Sequence, residues 1–297
     1  YLLRGHLSYV GEYGEGHTLN VVGGAELRGN DSHTLFNKRF NYDPRTGNTA
    51  LPPIEKPSES TLREIERLTG EYFTKSRYAS FYLSADYSFR DRYILSVTGR
   101  ADGSSYFGTH AQFNPNWSVG GAWILTEEPF MQDVRRTLSE FKIRASYGQL
   151  GNQNIGSNYP TIQQLDVSSI SVNDVITPIV TQTTLANPDI TWESTEMYDV
   201  GIDATLFDKL SVTADWYYKK THDILLTLDI PSIIGLGAPY QNAGMVRNVG
   251  WEVAVGYHNK WRDFSFGVEA NLSDVVNKII DMKGTTGGSG AIRNQEG

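Results

Sequence analysis

The stretch Tyr78–Asp102, YASFYLSADYSFRDRYILSVTGRAD, decides the fold. From Tyr78 to Phe89 one parity reads Ala79, Phe81, Leu83, Ala85, Tyr87 and Phe89. The other reads Tyr78, Ser80, Tyr82, Ser84, Asp86 and Ser88. After Arg90-Asp91 the alternation resumes, with Tyr93, Leu95, Val97, Gly99 and Ala101 set against Ile94, Ser96, Thr98, Arg100 and Asp102. A period of two means a strand whose faces meet different surroundings.

The pattern recurs outward from there. Phe141, Ile143, Ala145 and Tyr147 alternate with Lys142, Arg144, Ser146 and Gly148. Leu210 to Lys219 and Phe264 to Leu272 behave alike, as do stretches near 1–10, 17–28, 113–124, 195–206 and 247–258. This predicts about ten strands of roughly ten or more residues, longer than the usual globular strand. Tight connections fall near Gly11–Gly16, Arg90-Asp91, Phe207–Lys209 and Asn259–Asp263. Long ones span about 29–75, 102–112, 150–192 and 222–246. The link from Thr126 to Ser139 is the odd member, with EEPFMQDVRRTL reading as a short helix that starts at Glu127 and Glu128.

Long strands with short turns at one end and long loops at the other describe an antiparallel transmembrane β-barrel. Its short turns are expected to be periplasmic and its long loops extracellular. The apolar parity then faces lipid, and the polar parity, with Arg100, Arg144, Asp215 and Glu269, faces a wet lumen. Tyr93, Trp123, Phe141, Tyr147, Trp251 and Trp261 are placed for interfacial aromatic girdles. A soluble β-sandwich or propeller, serving as a binding or adhesion module, also alternates and is the alternative.

Composition narrows the class. The 297 residues include 12% aromatics and 20% charged residues. Mean hydropathy is −0.38, and no run nears the ~20 apolar residues of a spanning helix. The net charge of −8 points away from a nucleic-acid binder, whose affinity rests on neutralising phosphate. There is no cysteine, which removes disulfides and Cys-ligated zinc. The opening YLLRGHLSYV lacks the pattern of a signal peptide and reads as mid-strand, and the ending GTTGGSGAIRNQEG reads as loop. Both ends are those expected of a piece of a longer chain.

Local chemistry is weak. Gly148, Gly151 and Gly156 hint at a phosphate loop, but Ser157-Asn158 stands where Lys and a hydroxyl are needed. A loop whose glycines and asparagines accept positive φ is the plainer reading. Asp199 and Asp203 share the polar parity of one strand; solvation in a lumen explains them as well as a glycosidase pair does. The histidines have no HxxxH or HExxH spacing, and catalytic residues, cofactors and metals are not expected. The sequons at Asn30, Asn116 and Asn271 read as chance.

Several blocks, in order, resemble the SusC/RagA family of TonB-dependent outer-membrane transporters of Bacteroidetes. They are RADGSSYFG (100–108), FNPNWSVGGAWILTEEPF (113–130), KIRASYGQLGNQNIG (142–156) and NPDITWEST (187–195). SVTADWYYKKTHDILL (211–226), NAGMVRNVGWE (242–252) and NLSDVVNKI (271–279) follow. The departures are small: Asn114–Asn116 replaces a usual Pro-Ser, and GGAW a usual AGW. The resemblance implies about ten strands of a 22-stranded barrel, with residues 1–297 a partial barrel domain lacking plug, TonB box and final strands. It implies active import of a nutrient across the outer membrane of a Gram-negative bacterium, not catalysis. The cargo would be a glycan oligosaccharide or a peptide, the lid a SusD-like surface lipoprotein, and the energy source TonB–ExbB–ExbD. Loop residues Tyr159, Gln163, Gln164, Trp192, Tyr240, Gln241 and Asn242 have the stacking and hydrogen-bonding chemistry to meet cargo or lid; packing of the loops themselves is the plainer reading.

Overall fold

A computed structural model describes residues 1–37, 42–49, 69–108, 110–153, 159–172 and 175–283. Ten strands form one antiparallel sheet. They are β1 (Leu2–Tyr13), β2 (His17–Asn37), β3 (Thr69–Phe89), β4 (Tyr93–Ser104), β5 (Phe113–Ile124) and β6 (Leu138–Asn152). After a separate hairpin, β7 (Gln164–Val172) and β8 (Val175–Thr184), come β9 (Glu193–Leu206), β10 (Leu210–Thr227), β11 (Tyr240–Trp261) and β12 (Phe264–Asp281). Apart from the excursion of β7 and β8, sheet order follows chain order, with β1 and β12 as edges. All ten strands read from the alternation are present.

Register carries the two parities across the sheet, with shifts at Leu138/Glu140, Thr221–Leu225 and Met245/Val246. Leu95 pairs with Tyr87 and Gly121, and Ala145 with Gly121 and Val200. Val200 in turn faces Trp216, and Trp216 faces Trp251. One face is therefore mostly apolar across the sheet, the row ending on β12 at Asp274 opposite Trp251. That face is bare: Phe81 and Leu83 are each 57% exposed and Leu272 is 67% exposed. A soluble sandwich would bury these side chains against a second sheet. Among the described residues the β7–β8 hairpin is the one further sheet and no second layer packs on this face, which sets the sandwich and propeller alternative aside.

The turns explain the tight connections. At Phe89–Arg92 the Arg92 N–H donates to the Phe89 carbonyl at 3.0 Å, with Arg90 and Asp91 both at φ 52°. Phe207 and Asp208 repeat this, closed by Lys209 N–H to the Leu206 carbonyl at 3.0 Å. Positive φ at both central residues is what a two-residue hairpin demands, because it matches the strand twist. The expected short helix is present in 3₁₀ form, as Leu125–Glu127 and Pro129–Val134. So few residues, interrupted by Pro129, cannot recover the cost of nucleating an α-helix.

The long connections are more ordered than expected. Strands β2 and β3 stay paired out to Asn37 and Thr69, so much of the 29–75 connection is ladder. Within 150–192, β7 and β8 form a hairpin outside the ten-stranded sheet, and Thr184 at its end bridges to Gly237. The buried core sits among these connections. Phe107, Ile190, Trp192 and Leu225 pack together, flanked by Tyr106, Ala111 and Tyr240. Ile190 is fully buried.

Candidate functional site

The polar face carries two built clusters. In the first, Arg144 on β6 donates through Nε to Asp203 Oδ2 at 3.1 Å and through Nη2 to Asp215 Oδ2 at 2.7 Å. Asp199 Oδ1 lies 3.6 Å from its Nη1, and Lys142 Nζ is 2.9 Å from Asp203 Oδ2. Gly201 lies opposite Arg144 in the ladder, and a Cβ there would strike the guanidinium and the Asp215 carboxylate. The close approach of the arginine requires that glycine. The Asp199 and Asp203 carboxylates thus serve as partners of cations.

In the second cluster, Asp102 gathers three strands. Its carboxylate accepts from Ser80 Oγ on β3 at 2.6 Å, from Arg100 Nε at 2.6 Å and from Asn116 Nδ2 on β5 at 2.8 Å. Asn116 Oδ1 accepts from Asn114 Nδ2 at 3.1 Å and also from the Gly151 N–H. Gly148 and Gly151 lie within β6 and have no positive φ. Their lack of a side chain serves a close approach: a Cβ on Gly148 would sit 2.8 Å from the Trp117 carbonyl, and one on Gly151 would collide with Asn114. The expectation of a positive-φ loop is corrected accordingly; Gly156 lies outside the described residues.

Above the polar face, the loop core is tied by side-chain clamps. Trp192 stacks on Phe107 at 4.7 Å and donates Nε1–H to the Ala111 carbonyl at 2.8 Å. Asn242 accepts from Thr191 N–H at 2.9 Å and donates to the carbonyls of Thr191 and Asp223, each at 2.8 Å. Asn187 donates to the Tyr240 carbonyl at 2.7 Å. Glu193 accepts from Leu225 N–H at 2.9 Å and Asn152 Nδ2 at 2.8 Å. Sequence reading missed Glu193 and Asn187; their place beside Trp192 in NPDITWEST was the available signal.

The seven loop residues named from sequence therefore divide. Trp192, Tyr240 and Asn242 knit the loop core together. Gln241 is half-buried in β11, opposite Leu226. Tyr159 is exposed, and its hydroxyl accepts from Lys75 N–H at 3.3 Å. Gln163 and Gln164 are exposed at the base of the β7–β8 hairpin.

At the turn end, Glu128 is the N-cap residue of the 3₁₀ helix Pro129–Val134, but its side chain makes no capping hydrogen bond. Its Oε1 accepts from Tyr93 Oη at 2.6 Å and Trp123 Nε1 at 3.1 Å, and Arg92 stands 3.4 Å from Oε2. The tyrosine hydroxyl first, then the indole N–H, hold this carboxyl below the ordinary glutamate value. Tyr93 and Trp123 belong to an aromatic band that runs His17, Phe89, Tyr93, Trp123. A second band runs Trp117, Tyr147, Tyr198, Tyr218 nearer the loops.

Residues 3–291 match the family described as "TonB dependent receptor-like, beta-barrel". The chain belongs to that family. A TonB-dependent receptor, P26, of Formosa agariphila is 33% identical over 280 residues, covering 94% of this chain and 27% of the relative. The TonB-dependent receptor SusC of Bacteroides thetaiotaomicron is 28% identical, covering 77% of this chain and 23% of the relative. Among solved structures, the RagAB peptide importer in its open-open state superposes with a TM-score of 0.78 at 24% identity. That comparison covers 95% of this chain and 30% of the importer chain, and it speaks to the fold. The chain thus spans about a quarter of the length of the curated relatives it matches. The barrels of this TonB-dependent receptor family are outer-membrane proteins of Gram-negative bacteria. That location turns the apolar face to lipid and the polar face to the lumen, and makes the aromatic bands its interfacial girdles.

Proposed function

We propose that this chain forms part of the wall of a TonB-dependent outer-membrane importer of the SusC/RagA type. The observation that carries the reading is the sheet itself. One face is predominantly apolar, the other holds paired charges, and an ordered loop core stands on one rim, all within a stretch that matches the receptor-barrel family over residues 3–291. Strands outside this stretch complete the barrel, and a plug fills its lumen. Energy comes from TonB–ExbB–ExbD acting on the plug, and a SusD-like surface lipoprotein covers the loop rim. The cargo is a glycan oligosaccharide or a peptide. The likeness to SusC and to the RagAB importer supports the partner and cargo class.

The chain contributes walls and contacts, not bond cleavage. The exposed Tyr159, Gln163 and Gln164 offer an aromatic ring and amides to cargo or lid, with Gln241 beside them on the same rim. Trp192, Tyr240 and Asn242 hold the rim in shape for that contact. The test is uptake by cells expressing the full-length protein with its neighbouring lipoprotein gene. Uptake of a fluorescent oligosaccharide or peptide is expected to stop when TonB is deleted or the proton-motive force is dissipated. Uptake that continues unchanged contradicts the reading.

A further inference from the structure

A polar cavity of about 400 Å³ opens on the lumenal face of β2, β3 and β4. Glu26, Arg28, Tyr78, Ser80, Arg100 and Asp102 form its wall, and Asn152, Gln153 and Trp192 close it from the loop side. Its charges nearly all cancel. Glu26 accepts from Arg4 Nε at 2.7 Å, and Arg100 is bound to Asp102 at 2.6 Å. Arg28 is the remainder. Its guanidinium lies 4.3 Å from the centre of the Tyr78 ring, which Tyr106 meets edge-on at 5.8 Å. Among the described residues no carboxylate or carbonyl accepts its N–H donors. The cavity has a second orphan: Gln153 Oε1 is buried without a hydrogen-bond partner.

We propose that this cavity is a cargo subsite that takes a carboxylate flanked by hydroxyl or amide donors. Arg28, steadied on Tyr78, offers a planar fork that matches a carboxylate. Gln153 Oε1, buried in this wall without a partner, becomes an acceptor for the neighbouring donor once its side chain turns into the cavity. Two cargo types carry this chemistry: a uronic acid unit of a glycan, and the C-terminal residue of a peptide. The volume suits a terminal unit of either. This inference rests on the importer reading and adds a charge requirement to it.

The test uses the full-length protein in detergent and two matched probe pairs. One pair is trigalacturonate and its methyl ester; the other is trialanine with a free or an amidated C-terminus. Calorimetry is expected to show the acid form of one pair bound about 10-fold or more tighter than its neutral partner. The pair that discriminates identifies the cargo type. Arg28→Gln is expected to weaken the acid form far more than the neutral form and so erase most of that preference, and Arg28→Lys to keep part of it. The wild-type preference is also expected to shrink as salt is raised, a measurement that needs no variant. Equal binding of acid and neutral forms in both pairs, no binding of either acid, a preference insensitive to salt, or equal weakening of both forms by Arg28→Gln overturns the subsite. TonB-driven uptake that survives any of these results leaves the importer reading standing; TonB-independent uptake removes that reading instead.

Discussion

Gly201 shows how single positions on the lumenal face are fixed. Its missing side chain lets Arg144 reach Asp203 and Asp215 at once. Gly201→Val is expected to cost about 1–3 kcal/mol, as overpacking does. Gly99→Ala is the control, because a Cβ there meets nothing within 4 Å. Heat-modifiable gel migration of the two variants checks the contrast. Glu128 gives a second residue-scale test. Its charged form is held by Tyr93 and Trp123, so its folded pKa lies below its unfolded one. Its stabilising contribution is therefore complete above the ordinary glutamate range and is lost as pH falls through the lowered value. Thermal unfolding followed from about pH 6 to pH 3 is expected to show an acid-induced drop that Glu128→Gln flattens. Neither role was legible in the sequence. Alternation tells which face a side chain occupies, but Asp102 meets Asn116 and Arg144 meets Asp215 only through strand register, which the sequence states nowhere.

At the scale of elements, the alternation was a reliable guide because lipid and lumen impose it on every spanning strand. On β4, Val97→Arg puts a charge on the lipid face and is expected to cost about 2–4 kcal/mol if near mid-depth, whereas the neighbouring Thr98→Arg, pointing to the lumen, costs little. Chemical unfolding from lipid vesicles measures both. The loop core makes a different demand. Trp192 is buried, stacked and hydrogen-bonded, so Trp192→Ala is expected to lose about 3–5 kcal/mol of local packing. Limited proteolysis is expected to cut the 150–192 connection sooner in that variant. The blocks that resemble SusC/RagA largely supply this core and its clamps: Phe107, Asn187, Ile190, Trp192, Leu225 and Asn242 all lie in them. The β7–β8 hairpin went unread for a physical reason. QLDVSSISV and VITPIVTQTT form a hairpin outside the ten-stranded sheet, bridged from Thr184 to Gly237, so no strong one-sided pattern marks them.

For the whole molecule, the sheet resolves a conflict between composition and burial. A chain with mean hydropathy of −0.38 nevertheless leaves large apolar residues bare along one face. In water that surface would aggregate. In an outer membrane it is the solvent-matched side, and the polar residues that lower the average line the lumen and the loops. The account therefore stands or falls on which face meets lipid. These 297 residues hold no cysteine, so single cysteines can be placed along β4 at Leu95, Ser96, Val97, Thr98 and Gly99 in a full-length protein freed of any cysteine elsewhere. In intact outer membranes, lipid-borne quenchers are expected to dim fluorophores at 95, 97 and 99, and water-soluble maleimide to reach 96 and 98. Labelling without that period of two, or with the faces reversed, would contradict the account.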